Sequence, residues 1–176
     1  MVKKIAAALI WAVIALEAVV FFLPKKEIYY LGERYLDALG VAISSEEASD
    51  YGWLFSLKGG AIYYDRMQTA ENNRLSLFAS IFYNELSLEP FSFASELNSI
   101  FPTRVDFLKA RHTIFLPHKI FLSGEGEIGA ISGWIDLFAR KIYIVINAPS
   151  EIQQKYGQIF AVLEKKSEGF VYERDF

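Results

Sequence analysis

The sequence predicts a mostly β, α+β chain: an N-terminal transmembrane helix, then a curved, mainly antiparallel β-sheet domain with a C-terminal helix. Three observations carry this. Residues 5–23, IAAALIWAVIALEAVVFFL, are apolar with one charge. From residue 53 the apolar positions recur at period two. From residue 150 to 166 they return to helical spacing. Strands that follow one another with helices only at the ends exclude an alternating β/α layer. The expected division is a membrane anchor at 1–26, a juxtamembrane helix and linker at 27–50, and a β-rich periplasmic domain at 51–176.

The anchor comes first. A run of about 20 apolar residues matches the hydrocarbon core of a bilayer when helical. Ile5, Trp11, Glu17 and Phe22 lie along it, Lys3 and Lys4 precede it, and Pro24, Lys25 and Lys26 follow. A cleaved secretory signal needs small residues just before the cut. Val19-Val20-Phe21-Phe22-Leu23-Pro24 supplies none, so an uncleaved anchor is expected. The Lys and Arg counts of the two flanks nearly tie. The short N-terminal tail and large C-terminal body favour a single-pass protein of the bacterial inner membrane, with its body in the periplasm. Glu17 costs about 2.5–3.5 kcal/mol at the bilayer midplane, which calls for a partner. Two readings stand: contact with another membrane protein, or a carboxyl roughly 9 Å from the outer end that reaches the headgroups or is protonated. A proton relay lacks a second ionisable residue in the span.

The body follows. Residues 27–39 place Ile28, Leu31, Tyr35 and Leu39 on one helical face, and Gly40 follows as a C-cap. Tyr29 and Tyr30 suit the headgroup level. Residues 53–58 and 61–64 read as strands around Gly59-Gly60, a turn or bulge signal. Residues 75–83 are apolar at nearly every position, and residues 86–90 alternate until Pro90. Residues 94–101 fit a short helix, and residues 104–107 and 110–116 fit two strands. Residues 119–122, 131–137 and 142–147 continue the sheet, with Arg140-Lys141 at a hairpin position. Ser150 and Gln153 fit a capping box, with Ile152, Tyr156, Ile159, Phe160 and Leu163 on one stripe. Residues 170–172 fit a last strand or a loose tail.

Chemistry is sparse. A formal net charge of −3 argues against a nucleic-acid partner. The absence of cysteine excludes disulfides, thiolate catalysis and cysteine-ligated zinc. His112 and His118 flank Pro117 without a carboxylate set to complete a metal site, so no metal, cofactor or catalytic residue is expected. Residues 124–129, GEGEIG, match G-x-G-x-x-G, but that motif binds a pyrophosphate only when a helix opens after it. The residues after Gly129 alternate and contain Gly133, so Gly124, Gly126, Gly129 and Gly133 are expected at bends of a curved sheet. Large apolar groups remain: Phe78, Phe82 and Phe121 are candidates for a face turned to a partner or to acyl chains.

Three stretches, LKGGAIYY at 57–64, LPHKIFLSGEGEIGAISGWIDL at 116–137 and KIYIVINAP at 141–149, resemble the type II secretion system protein N family. That family is similar in architecture to the AsmA-like and lipopolysaccharide-transport groove proteins. The resemblance implies one N-terminal anchor, a periplasmic β-rich body and no catalytic residue. The expected function is non-enzymatic: a structural or assembly component of an envelope-spanning machine of the type II secretion or pilus kind, or a flagellar-motor accessory. Expected partners are other membrane-complex proteins, in a larger hetero-oligomer, and membrane lipid. The alternative is a periplasmic lipid-transfer groove protein. Deleting residues 5–23 is expected to move the chain from the carbonate-washed membrane fraction to the soluble one; retention in the membrane would refute the anchor.

Overall fold

The computed structural model describes residues 2–95 and 102–176. It begins with helix α1 (Val2–Phe22), and helix α2 (Lys25–Asp37) starts three residues later. Pro24 breaks the two apart, because it cannot continue the hydrogen-bond ladder of α1, yet its carbonyl accepts the Ile28 N–H at 3.1 Å to open α2. The inward face of α2 is Lys25, Tyr29 and Glu33. The stripe of Ile28, Leu31, Tyr35 and Leu39 faces outward instead, with Tyr35 69% exposed. A body that packs against a helix through tyrosine and lysine leaves its aliphatic stripe free.

The rest is one antiparallel sheet of twelve strands among the described residues. They are β1 (Val41–Ser44), β2 (Glu47–Asp50), β3 (Leu54–Lys58), β4 (Ala61–Tyr64), β5 (Met67–Ala79), β6 (Tyr83–Phe93), β7 (Arg104–Thr113), β8 (Lys119–Gly126), β9 (Gly129–Asp136), β10 (Lys141–Asn147), β11 (Glu164–Lys166) and β12 (Gly169–Asp175). β3 and β4 pair with successive parts of β5, and β2 and β1 pair with β3 and β4. Residues 41–50 and 54–64 therefore run as one long hairpin, and the sheet begins ahead of residue 51. From β5 to β10 each strand neighbours the next. The short helices α3 (Ser150–Lys155) and α4 (Gly157–Ala161) then carry the chain round to β11 and β12, and β12 pairs with β10.

Several local expectations change, each for a physical reason. The apolar run at 75–83 is cut at Ser80, whose hydroxyl accepts the Phe82 and Tyr83 N–H groups at 3.2 and 3.1 Å. Such a side chain mimics a backbone turn. The two strands expected at 104–116 are the single β7, with its register shifted between Val105 and Phe107. The helix expected over 150–166 breaks at Tyr156, where φ is −115°, and its last residues form β11. No capping box forms: Pro149 is the N-cap, and the Gln153 amide donates to the Ala148 carbonyl at 2.8 Å. The inward stripe survives, because Tyr156 and Phe160 are buried. Residues 170–172 belong to β12. The helix expected at 94–101 falls mostly outside the described residues.

One line crosses the sheet at right angles to its strands. Carried from strand to strand, the register sets Glu46, Gly59, Asn73, Pro90 and Asp106 in a single row. Pro90 lacks the N–H a ladder needs, glycine adds no side chain to pack, and Asp106 is the extra residue of β7. Pro90 thus creases β6 rather than ending it. Beyond the row the apolar positions change face: Ile62, Ala70 and Phe93 pair with one another, an odd number of residues from Leu57, Leu75 and Leu88.

GEGEIG straddles a hairpin. Gly126 pairs with Gly129 across the two-residue turn of Glu127 and Ile128, and β9 continues from Gly129 as a strand. The neighbouring strands are cupped here. A Cβ on Gly129 would lie 2.1 Å from the Asn147 carbonyl oxygen, and one on Gly133 would lie 2.2 Å from that of Tyr143. Gly129 also has φ +103°, a conformation L side chains rarely adopt. Gly129→Ala is expected to lower unfolding stability by about 1–3 kcal/mol. Urea unfolding of the detergent-solubilised chain reads this; an unchanged midpoint would refute the cupped geometry.

Candidate functional site

Residues paired across a ladder share a face, so the register sorts the side chains of the sheet. One row reads Phe55, Leu77, Leu86, Ala110, Leu122, Gly133, Ile144 and Tyr172. The next row on the same face reads Leu57, Leu75, Leu88, Leu108, Gly124, Ile131, Ile146 and Phe170. This face is aliphatic over eight strands. The row between them, on the other face, reads Ser56, Ser76, Ser87, Lys109, Ser123, Ser132, Val145 and Val171. Charged residues flank that serine row, among them Lys58, Arg74 and Glu89.

The aliphatic face is covered at its flanks and open between them. Tyr29 of α2 approaches Phe55 with ring centroids 5.7 Å apart, and Phe160 of α4 approaches Phe170 at 4.7 Å. Phe55 and Leu57 are buried, whereas Leu86 is 44% and Leu108 39% exposed. A Leu–Leu surface left in water forgoes about 1.5–3 kcal/mol per side chain that burial would recover.

The open face runs toward α1 and the start of α2. An apolar cleft of about 320 Å³ is lined by Leu23, Lys25, Ile28, Tyr29, Phe55, Leu75, Leu77, Ala79 and Leu86. A second of about 400 Å³ lies between the α1 segment Val13–Phe22 and Trp53. The two meet at a polar joint. Lys25 is buried; its Nζ donates to the Val20 and Leu23 carbonyls at 2.8 and 3.3 Å, which caps the end of α1. Its backbone N–H donates to Asp50 at 3.0 Å. Glu17 finds its partners within the chain: its carboxylate accepts the Trp53 Nε1–H at 3.1 Å and the Ile81 N–H at 3.3 Å. Behind the joint, burial pushes the Tyr29 phenol up, and the Glu46 and Glu33 carboxylates push it further.

The other residues singled out from sequence scatter. Ile5 and Trp11 lie on the exposed part of α1, and Phe22 lines the second cleft. Phe78 and Phe121 share a row of the polar face with Glu85 and Arg111, and Phe82 sits in the loop after β5. Gly124 and Gly133 lie in the aliphatic rows, where the adjacent strand backbone comes too close for a Cβ: one would lie 2.9 Å from the Phe107 carbonyl oxygen at Gly124 and 2.2 Å from that of Tyr143 at Gly133. The aliphatic rows themselves were visible as alternation in single strands, but only the register joins them. His112 Nε2 lies 3.1 Å from the Pro117 carbonyl, and His118 faces Asp136 at 3.9 Å. Among the described residues no three His, Asp or Glu side chains converge as a metal site. No family model, no curated protein and no solved structure matches the chain.

Glu127, in the GEGEIG turn, ties the sheet to α3. It accepts the Thr103 N–H at 3.0 Å, the Lys155 ammonium at 3.1 Å and the Tyr156 hydroxyl at 2.9 Å. Burial pushes its pKa up, but these donors outweigh that and hold it below the ordinary 4.5. A carboxyl depressed by folding stabilises fully above its unfolded pKa, and that share is lost as pH falls through its folded pKa. Glu127→Gln should therefore cost stability at pH 7 and narrow its deficit below pH ~4. Thermal unfolding from pH 7 to 3 reads this, and a deficit that does not change with pH would refute it. Trp53→Phe removes the indole donor and should raise the mobility of the joint, read as faster proteolysis between residues 23 and 54; an unchanged cleavage rate would refute the contact.

Proposed function

We propose that this chain is a non-enzymatic, single-pass protein of the bacterial inner membrane whose periplasmic sheet holds lipid acyl chains on its aliphatic face. The observation that carries this reading is continuity. The eight-strand aliphatic face is open between its flanks, and its covered end leads into apolar clefts beside a helix long and apolar enough to cross a membrane. Acyl chains leaving the bilayer along α1 would meet Leu23, Leu77 and Leu86 before water. Transfer of an acyl chain onto such a face needs no catalytic group. It needs apolar area, at about 25 cal/mol per Å² buried, and a mouth at the membrane.

The test is photocrosslinking in the full-length, membrane-extracted protein. A photoreactive residue in place of Leu108 or Leu122 should capture phospholipid, and one in place of Arg111 on the polar face should not. The double variant Leu86→Glu, Leu108→Glu should lose co-purifying lipid several-fold while staying in the membrane fraction. Equal capture at all three positions, or none, would sink the reading.

A second reading has its own observation. β11 pairs with only Gly169–Val171 of β12, so the remainder of β12 forms an open edge that a strand of another chain can extend. This favours a structural or assembly component of an envelope machine of the type II secretion or pilus kind. Capture of a second protein along residues 172–175, with no lipid at Leu108, would replace the first reading with this one.

A further inference from the structure

In a meander the loops alternate between the two ends of the sheet, and here the ends differ. One end carries the turns Asp65–Arg66, Glu127–Ile128 and Ser167–Glu168. The other carries the loops at 51–53, 80–82, 114–118 and 137–140, with Phe176 beside Arg140. The tips of that second end are apolar and in water: Phe115 is 84% exposed, Phe138 82% and Tyr51 66%. Phe138 stacks one ring face on His118, with centroids 5.4 Å apart, yet both phenylalanines remain presented on separate hairpins.

The anchor fixes what these tips face. α1 touches the body only at this end, through Glu17 with Trp53 and Ile81, and through Phe21 with Trp53 at 4.7 Å. Residues 2–16 of α1 are exposed along their length. The loops at 51–53 and 80–82 thus lie beside α1 about 8 Å inside its outer end, at 1.5 Å per residue. Interfacial segments bury their apolar side to about 5–10 Å, which is the same depth. Lys119, 4.0 Å from Asp136, and Arg140 stand just behind the tips of β7–β8 and β9–β10, where they would meet lipid phosphates if the tips enter a bilayer.

We infer that the anchor-side end of the sheet is itself a membrane-interface surface, with Phe115 and Phe138 inserted between lipid headgroups. α1 then tethers the sheet, and the hairpin tips set its tilt, so that the aliphatic face opens onto the outer leaflet. The inference rests on α1 crossing the bilayer, and its test separates the two.

The chain has no cysteine, so single labels are unambiguous. Five variants, Ala8→Cys, Phe115→Cys, Phe138→Cys, Arg66→Cys and Glu168→Cys, each carry an environment-sensitive fluorophore. The full-length protein is reconstituted in vesicles of phosphatidylethanolamine and phosphatidylglycerol, with or without doxyl-labelled lipid. Labels at 8, 115 and 138 should be quenched by about twofold or more, and labels at 66 and 168 should not. Quenching at 8 but not at 115 or 138 would overturn the inference and leave the anchor standing. No quenching at 8 would overturn both. Shielding at 115 and 138 that grows with protein-to-lipid ratio and ignores the doxyl lipid would assign the surface to a second copy of the chain, and would also overturn it.

Discussion

A side chain on a strand points to one face or the other, and its partner across the ladder points with it. That constraint, carried without slippage through β3, β5 and on to β10 and β12, is what gives the sheet two different faces. A slip of one residue at any pairing would move the opposite row of serine, Lys109 and valine side chains into the leucine rows on every strand beyond it. The two-residue turns at Asp65–Arg66 and Glu127–Ile128 hold the register at one end, and Ser80 holds it at the other. The crease through Gly59, Asn73 and Pro90 marks where the aliphatic face stops, because apolar residues beyond it lie on the opposite side.

The attachment of α1 depends on the same register. Asp50 and Trp53 reach Lys25 and Glu17 only because the β2–β3 hairpin ends beside the β5–β6 loop. A carboxylate in an apolar helix is costly unless donors meet it. Here the donors are an indole and a loop N–H from the sheet, so the polar residue that looked like a defect of the span fastens the body to it. Lys25 completes the fastening: one side chain satisfies the last carbonyls of α1 while its backbone binds the sheet. Neither half of this joint has a use without the other.

The sequence made parts of this legible and hid others. The apolar helix, the alternation at 131–137 and 142–147, and the strand that follows Gly129 read correctly because each is local: a length, a period, a missing helical spacing. The strands at 47–50, 67–73 and 164–166 were hidden because they are polar, and only neighbours pull them into the sheet. The crease residues were misread for the same reason; Pro90 alone signals a stop, and Pro90 opposite Asn73 signals a bend. The aliphatic face could not be read at all from one strand. Phe78 and Phe121 drew attention by size, whereas the register puts the continuous apolar surface on the smaller leucines and isoleucines one residue away.

The core argues for an occupant. Hydrophobic residues make up 53% of the chain, yet among the described residues only seven hydrophobic side chains are buried. A chain of this size that folds around its own core buries roughly 70% of its unfolded surface and leaves few leucines half in water. Here the aliphatic rows are capped by Tyr29 at one flank and Phe160 at the other, and between them Leu86 and Leu108 remain exposed. The backbone ladder keeps such a sheet in shape because its hydrogen bonds do not depend on what lies over the face. The same ladder makes the uncovered face selective: too shallow to enclose a ligand, and too long and uniform to single out one polar group. What suits it is a flexible, purely apolar partner that can lie across several strands, and the acyl chain we propose is such a molecule. Binding of that kind would stabilise the folded sheet by an amount that grows, above the dissociation constant, with the logarithm of free ligand concentration.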